Sequence, residues 1–324
     1  MGKNMQAFTC DRYGNADRLV LQEVPTPTPR PKEILVRVKA VSVNSWDWDI
    51  ISGAPVMRIV GPFRPAYKTL GADLSGIVEK IGSAVSDFKI GDEVFGDVSD
   101  SGWGGFAEYV TGKAEDFAKK PKQLSFEDAA CLPQAGLLGY QGVRTFGQVK
   151  PGDKVLINGA GGGAGMFACQ IAKLDGAEVT GIDSANKFDA MRSFGADHVY
   201  DYKQVDYTKL EQKFDVIIDA VANKFPKAYR RALTPTGTFV MMGGKITSIL
   251  SILLASRKNT EDGQKFKILM WNVNQADLND LAQLVINQKI RVHIDKTFPF
   301  EQTADALQSI GDQNARGKVV IKVS

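Results

Sequence analysis

Apolar and polar positions alternate in short runs along the first third of the chain. Gln6–Cys10, Leu19–Val24, Ile34–Val43, Ser75–Ile81 and Phe106–Val110 are separated by turn signals such as the proline-rich Pro25–Pro31 and Gly91-Asp92. Period-two runs punctuated in this way predict the strands of a small barrel or sandwich. From about Ser125 the period lengthens, and Ser125 followed by Asp128 three residues on marks a helix start. Strand-like runs then alternate with helical ones: Lys154–Asn158, Glu178–Ile182, His198–Tyr200, Phe214–Ala220 and Thr238–Met242. That alternation predicts βαβ units, and hence an α/β fold with a doubly wound parallel sheet. Two amphipathic stretches, Asp277–Gln288 and Glu301–Ile310, and a last strand, Lys318–Val323, complete the pattern.

Between the first of those parallel strands and the apolar stretch Met166–Leu174 lies a run with five glycines, Gly159-Ala160-Gly161-Gly162-Gly163-Ala164-Gly165. A flexible linker has no reason to sit between a buried strand and a helix. Bare backbone there lets an anion approach N–H groups at the positive end of a helix dipole. Gly159-x-Gly161-x-x-Ala164 fits the relaxed GxGxxG/A pattern, and Ala160-x-Gly162-x-x-Gly165 fits it with Ala in first place. Met166-Phe167 stand where a P-loop requires Lys-Ser/Thr, so a P-loop is excluded. The next strand ends in Asp183, near the spacing expected of the acid that meets a ribose 2′-hydroxyl. Strand, loop, helix, second strand and acid together predict a dinucleotide site. Its loop positions are Ala160, Gly162, Gly163, Ala164 and Gly165.

Composition narrows the class further. With 324 residues, the chain is comfortable for two domains. The net charge of +3, with both signs interspersed and no long Lys/Arg run, carries no footprint of nucleic-acid binding. The N-terminal residues lack the apolar core of a signal peptide, and Ile246–Ala255 is about half as long as a membrane span requires. The three cysteines, Cys10, Cys131 and Cys169, form no CxxC pair, which argues for reduced thiols and a cytoplasmic protein.

The chain resembles the medium-chain dehydrogenase/reductases, in their zinc-independent quinone oxidoreductase-like branch. The resemblance is carried in order by Val43-Asn44-Ser45-Trp46-Asp47, Gly71-Ala72-Asp73-Leu74-Ser75-Gly76, Lys89-Ile90-Gly91-Asp92-Glu93-Val94, Leu132-Pro133-Gln134-Ala135-Gly136-Leu137 and Arg316-Gly317-Lys318-Val319-Val320. It implies a GroES-like β-barrel domain at 1–124 plus 265–324 and a Rossmann domain at 125–264. A substrate cleft between the two and a homodimer joined through the Rossmann sheets are implied as well. Zinc alcohol dehydrogenases of this superfamily place a Cys ligand at the position of Asn44 and a His ligand at that of Ala72. Both ligands are missing, and His198 and His293 stand apart, so no catalytic zinc is expected.

By the same resemblance, the chemistry is hydride transfer to the β-carbon of a quinone or α,β-unsaturated carbonyl, whose oxygen then needs hydrogen-bond donors. Asn44 and Asp47 are the carried-over catalytic candidates: Asn44 as a donor or as the residue fixing a turn, Asp47 acting through bonds to backbone N–H groups. Ser184, Lys187 and Tyr202 match positions that hold a 2′-phosphate in NADPH-using relatives, and Gly243 and Lys318 are further implied cofactor contacts. Asp183 would repel that phosphate, so its charge competes with that of Lys187. NADPH is expected over NADH, which remains possible. Asp49 and Leu138 depart from the family pattern and leave a second class open, a nucleotide-binding scaffold or redox sensor with little turnover.

Overall fold

The computed structural model describes residues 3–257, 263–270 and 272–323. The chain divides into two compact units, Met1–Gln134 with Val273–Ser324, and Ala135–Asn272. The first unit is β-rich. β1 (Asn4–Thr9) and β2 (Val20–Pro25) form an antiparallel pair, and β3 (Glu33–Val43) is the long central strand. The helix α1 (Ser45–Ser52) follows β3 directly. β4 (Asp73–Ile81), β5 (Glu93–Asp97), β6 (Tyr109–Lys113) and β7 (Phe117–Lys119) complete the outgoing strands. Strands Ile294–Pro299 and Lys318–Lys322 return to the same sheet, the latter pairing antiparallel with β3. The core beneath holds Val36, Val38, Val41, Leu74, Val94, Phe106 and Phe117.

Helix α2 (Phe126–Ala130) starts where expected: the Ser125 hydroxyl accepts from the Asp128 N–H at 3.0 Å. It belongs to the first unit, because Ser75 Oγ donates to its Phe126 carbonyl at 2.6 Å and the Gln134 N–H donates to Asp73. The division therefore falls about ten residues later than the expected 124/125.

The second unit carries a six-stranded parallel sheet in the order β10-β9-β8-β11-β12-β13. In chain order come β8 (Lys154–Asn158), α3 (Gly163–Leu174), β9 (Glu178–Asp183), α4 (Phe188–Ser193), β10 (His198–Asp201) and β11 (Phe214–Asp219). α5 (Pro226–Ala232), β12 (Leu233–Met241), α6 (Ile246–Ser256) and β13 (Lys265–Ile268) follow. Pairing of β13 with β12 carries this unit past the expected boundary at 264. Successive strands are added on both sides of β8, which makes its C-terminal end the switch point where such sheets bind ligands. Among the described residues, no helix is long and apolar enough to cross a membrane.

Two elements differ locally from the sequence reading. The strand expected at Phe106–Val110 runs instead at Tyr109–Lys113. Phe106 is buried, and its backbone bonds to Leu70 and Phe8 hold it in the preceding turn. Helix α3 begins at Gly163, three residues before Met166, because Gly162 already accepts the Met166 N–H at 2.8 Å.

Candidate active site

The glycine loop in the second unit is built by the ends of β8 and β9. The Gly159 and Ala160 N–H groups both donate to the Ile182 carbonyl, at 2.8 and 3.1 Å, and the Gly161 N–H donates to Asp183 Oδ2 at 3.0 Å. Gly159 has φ +86°, which a side chain would strain. A Cβ on Gly165 would lie 2.1 Å from the Gly159 carbonyl oxygen, so this glycine lets the helix close onto the strand. Gly162 caps α3 without a side-chain acceptor, and its own Cβ position meets nothing nearer than 3.5 Å. The N–H groups of Gly163, Ala164 and Gly165, in the first turn, have no intrahelical acceptor. At the start of a 12-residue helix such groups favour an anion.

Asp183 faces this loop from β9. Its Oδ2 takes the Gly161 N–H and its Oδ1 takes the Ser184 N–H at 2.8 Å, while Lys187 Nζ lies 3.5 Å from Oδ1. The Lys187 side chain is only 9% exposed, so the ammonium is laid along the loop and not out in solvent. Ser184 Oγ donates to Asn186 Oδ1 at 2.6 Å, and Tyr202, half exposed, bonds through its N–H to the Asp183 carbonyl. Thus Asp183, Ser184, Lys187 and Tyr202 are brought together beside the loop. Gly243 sits at the end of β12, where its N–H and that of Met242 reach the Asp219 carbonyl at 3.2 and 2.8 Å.

One buried group here escaped the sequence reading. Asp219 closes β11 in register with Asn158 of β8. Its carboxylate accepts from Asn158 Nδ2 at 2.7 Å, Tyr207 OH at 2.8 Å and the Val221 N–H at 2.9 Å. Burial raises the Asp219 pKa and these donors oppose the rise. The network ties the strand ends beneath the loop. Its only sequence signal was a polar residue ending each of two apolar runs, Val155-Leu156-Ile157-Asn158 and Val216-Ile217-Ile218-Asp219.

The first unit holds a separate polar cluster on the face of β3 toward α2. Asp47 is wholly buried, with Oδ2 accepting the Asn44 N–H and Oδ1 the Gly71 N–H, each at 2.8 Å. Burial raises its pKa to about 7 against the pull of those two bonds and of Lys318. Its role here is to cap α1 and fasten the Gly71 turn. Lys318, 2% exposed, donates from Nζ to Asn44 Oδ1 at 2.5 Å. The structure thus gives the Lys318 ammonium a protein partner within this unit.

Register places Ser42 opposite Asp73 and Asp73 opposite Asp97 across β3, β4 and β5. Burial, with Asp97 alongside, pushes the Asp73 carboxyl well above the ordinary carboxylate range, while Lys318 and Asn44 pull it down. Asn44 Nδ2 lies beside Asp73 without a well-formed hydrogen bond, and Ser42 Oγ and Gln134 Nε2 also lack one. Burial lifts the thiols of Cys131 and Cys169 to about 12, which leaves them unreactive packing groups.

Comparison with known proteins agrees with both halves of this architecture. Residues 30–122 match the alcohol dehydrogenase GroES-like domain and residues 194–321 match the zinc-binding dehydrogenase model. Over 278 residues the chain is 32% identical to the mitochondrial NAD(P)H oxidoreductase RTN4IP1 of Bos taurus, covering 79% of this chain and 70% of that protein. The structure of the quinone oxidoreductase from Coxiella burnetii aligns with TM-score 0.90 and 31% identity over 99% of this chain and 100% of that one. The Escherichia coli quinone oxidoreductase complexed with NADPH aligns with TM-score 0.83 and 25% identity over 98% and 100%.

The zinc of that family model can be tested against the residues here. Ala72 has no ligand atom, and the Asn44 oxygen already holds an ammonium, which a divalent cation would have to displace. Among the described residues, no group of three or more His, Cys, Asp or Glu is placed to hold a metal ion. At these two positions the chain offers neither thiolate nor imidazole to a metal.

Proposed function

From the premise that this chain belongs to the medium-chain dehydrogenase/reductases, as an enzyme of their quinone oxidoreductase-like branch, we propose that it is a zinc-independent, NADPH-dependent reductase of quinones or α,β-unsaturated carbonyls. The observation that carries the reading is the bonding of Asp183. Both of its oxygens accept backbone N–H groups, from Gly161 and Ser184, and Lys187 lies alongside. A carboxylate held in this way supports the loop, and its charge is offset by a neighbouring ammonium. Two unit charges about 4 Å apart interact by about 4 kcal/mol at an effective dielectric near 20, enough to relieve the repulsion of a 2′-phosphate.

When bound, the reduced nicotinamide supplies the hydride. The chain's own contribution is positional. The first turn of α3 binds the diphosphate by backbone N–H groups and the helix dipole. Lys187, Ser184 and Tyr202 receive the 2′-phosphate. Hydride delivered to a β-carbon leaves negative charge on a carbonyl oxygen, which donors stabilise without a metal. Asn44 is the donor proposed here: Oδ1 is held by Lys318, and Nδ2, buried beside Asp73, would have to turn from that carboxyl to meet the substrate. Asp47 keeps Asn44 in place through the backbone.

Steady-state oxidation of NADPH and NADH with a panel of quinones and alkenals tests the reading. The expected result is kcat/KM at least tenfold higher with NADPH, and Lys187→Ala should erase most of that ratio by weakening NADPH alone. Equal or better use of NADH would reject the cofactor assignment. Tight NADPH binding with no turnover across the panel would reject the reductase.

A further inference from the structure

Helix α1 of the first unit carries two tryptophans in different surroundings. Trp48 packs against the core of that unit, with its ring beside Gly311 of the helix Thr303–Gly311, where a Cβ would collide with it. Asp47, Ile50 and Ile51 are buried on the inner side as well. Trp46 is not drawn into that core. It lies in the first turn of the helix, two residues after Asn44, and remains 37% exposed.

Trp46 meets a third tryptophan. The rings of Trp46 and Trp103 stack with 6.5 Å between centroids and 22° between planes, and the Tyr67 ring lies 5.7 Å from that of Trp103. Trp103 is buried and has φ +66°, between Gly102 at +110° and Gly104 at +118°. Glycine takes this left-handed conformation freely, but a bulky side chain is strained there, and such strain gathers at binding and catalytic sites. Backbone bonds fix the loop. The Trp103 N–H donates to the Val98 carbonyl at 3.0 Å and the Gly105 N–H to the Gly71 carbonyl at 2.8 Å. The Gly71 N–H in turn donates to Asp47 of α1, so the segments that carry the two rings are fastened to each other.

We propose that Trp46, backed by Trp103, selects substrates whose unsaturated carbonyl is conjugated to an aromatic ring over open-chain ones. A partly exposed ring held on a buried, strained one is a rigid surface for another flat ring, and aromatic pairs attract beyond the area they bury. The proposal rests on the reductase reading, in which Asn44, the N-cap of the same helix, is the donor to the carbonyl oxygen. In the aryl enone 4-phenyl-3-buten-2-one, the β-carbon takes hydride from NADPH and the α-carbon takes a proton from water. The products are the saturated ketone and NADP+. The phenyl group on that β-carbon is the ring that packs against Trp46.

The test compares this enone with 3-penten-2-one, which carries a methyl group in place of the ring. Intrinsic reactivities cancel when the ratio of the two kcat/KM values is compared between proteins. In Trp46→Leu the ratio should fall about tenfold, chiefly through a higher KM for the aryl enone. Trp46→Gln should give the same reading should the leucine variant fail to fold. Trp46→Phe should recover most of the ratio, which a merely structural role would not require. An unchanged ratio in Trp46→Leu, whatever happens to overall activity, would overturn the proposal. So would a phenylalanine variant as poor as the leucine one. Absence of turnover with either enone would reject the reductase reading by itself, and the aromatic surface would then be judged by binding. Saturable quenching of tryptophan fluorescence by 4-phenyl-3-buten-2-one gives its Kd. A Kd raised about tenfold in Trp46→Leu would support the aromatic surface, and an equal Kd would overturn it.

Discussion

The two polar regions of this protein are built on opposite principles. The loop of the second unit is built from backbone: a short contiguous stretch, Gly159 to Gly165, offers N–H groups, and its side chains matter mainly by being absent. The cluster of the first unit works by side chain. Asn44, Asp47, Asp73, Asp97 and Lys318 come from distant parts of the sequence and meet only because β3, β4, β5 and the returning C-terminal strand lie side by side. The difference teaches where each region is fragile. The loop fails by added volume, the cluster by a lost charge.

The largest effect should follow from Lys318→Met. Removing the ammonium leaves Asn44 Oδ1 without its donor and the buried carboxyls without a nearby cation, and losing a hydrogen bond to a charged group costs about 1.5–3 kcal/mol. Urea denaturation should show this loss. A change within about 1 kcal/mol would mean that the cluster is already neutral, and the contrast with the loop would fall.

Next comes Gly165→Ala. Its Cβ would sit 2.1 Å from the Gly159 carbonyl oxygen, so strand and helix must separate. Overpacking of this kind costs about 1–3 kcal/mol. NADPH affinity, read by fluorescence titration, should fall at least about tenfold. Gly162→Ala, where nothing lies within 3.4 Å of the new Cβ, should disturb stability far less while still crowding the ligand.

The smallest expected effect, counted per pH unit, is one of pH. An aspartate whose folded pKa is about 7, above its unfolded value, binds more protons folded than unfolded between those values. Its contribution to stability is therefore greatest at low pH and declines as pH rises from about 4 to about 7. Comparing wild type with Asp47→Asn across that interval isolates the slope, expected at about 1 kcal/mol per pH unit. A slope identical in the two proteins would place the titration elsewhere, with Asp73 the first alternative.

Legibility in sequence followed the same divide. The parallel strands and the loop could be read because each rests on neighbours along the chain. Lys154–Asn158 was bounded correctly, and Ser125 capped the helix it was expected to start. Tyr109–Lys113 was misplaced by a few residues, since an apolar run does not tell a buried turn residue such as Phe106 from the strand it precedes. The bonds of Asp183 were not readable at all. Alternation placed it at a strand end, but whether it faced a ligand or the Gly161 N–H depended on how the loop folds back.

By itself, then, the sequence determined the order of elements, the glycine turn and the absence of two zinc ligands. Each follows from local backbone freedom or from residue identity. Tertiary structure alone decided that Lys318 would meet Asn44, that Asp47 would fasten two backbone segments, and that Asp219 would tie three strand ends. Those pairings depend on register between strands far apart in the chain, where a shift of one residue turns every side chain to the other face of the sheet.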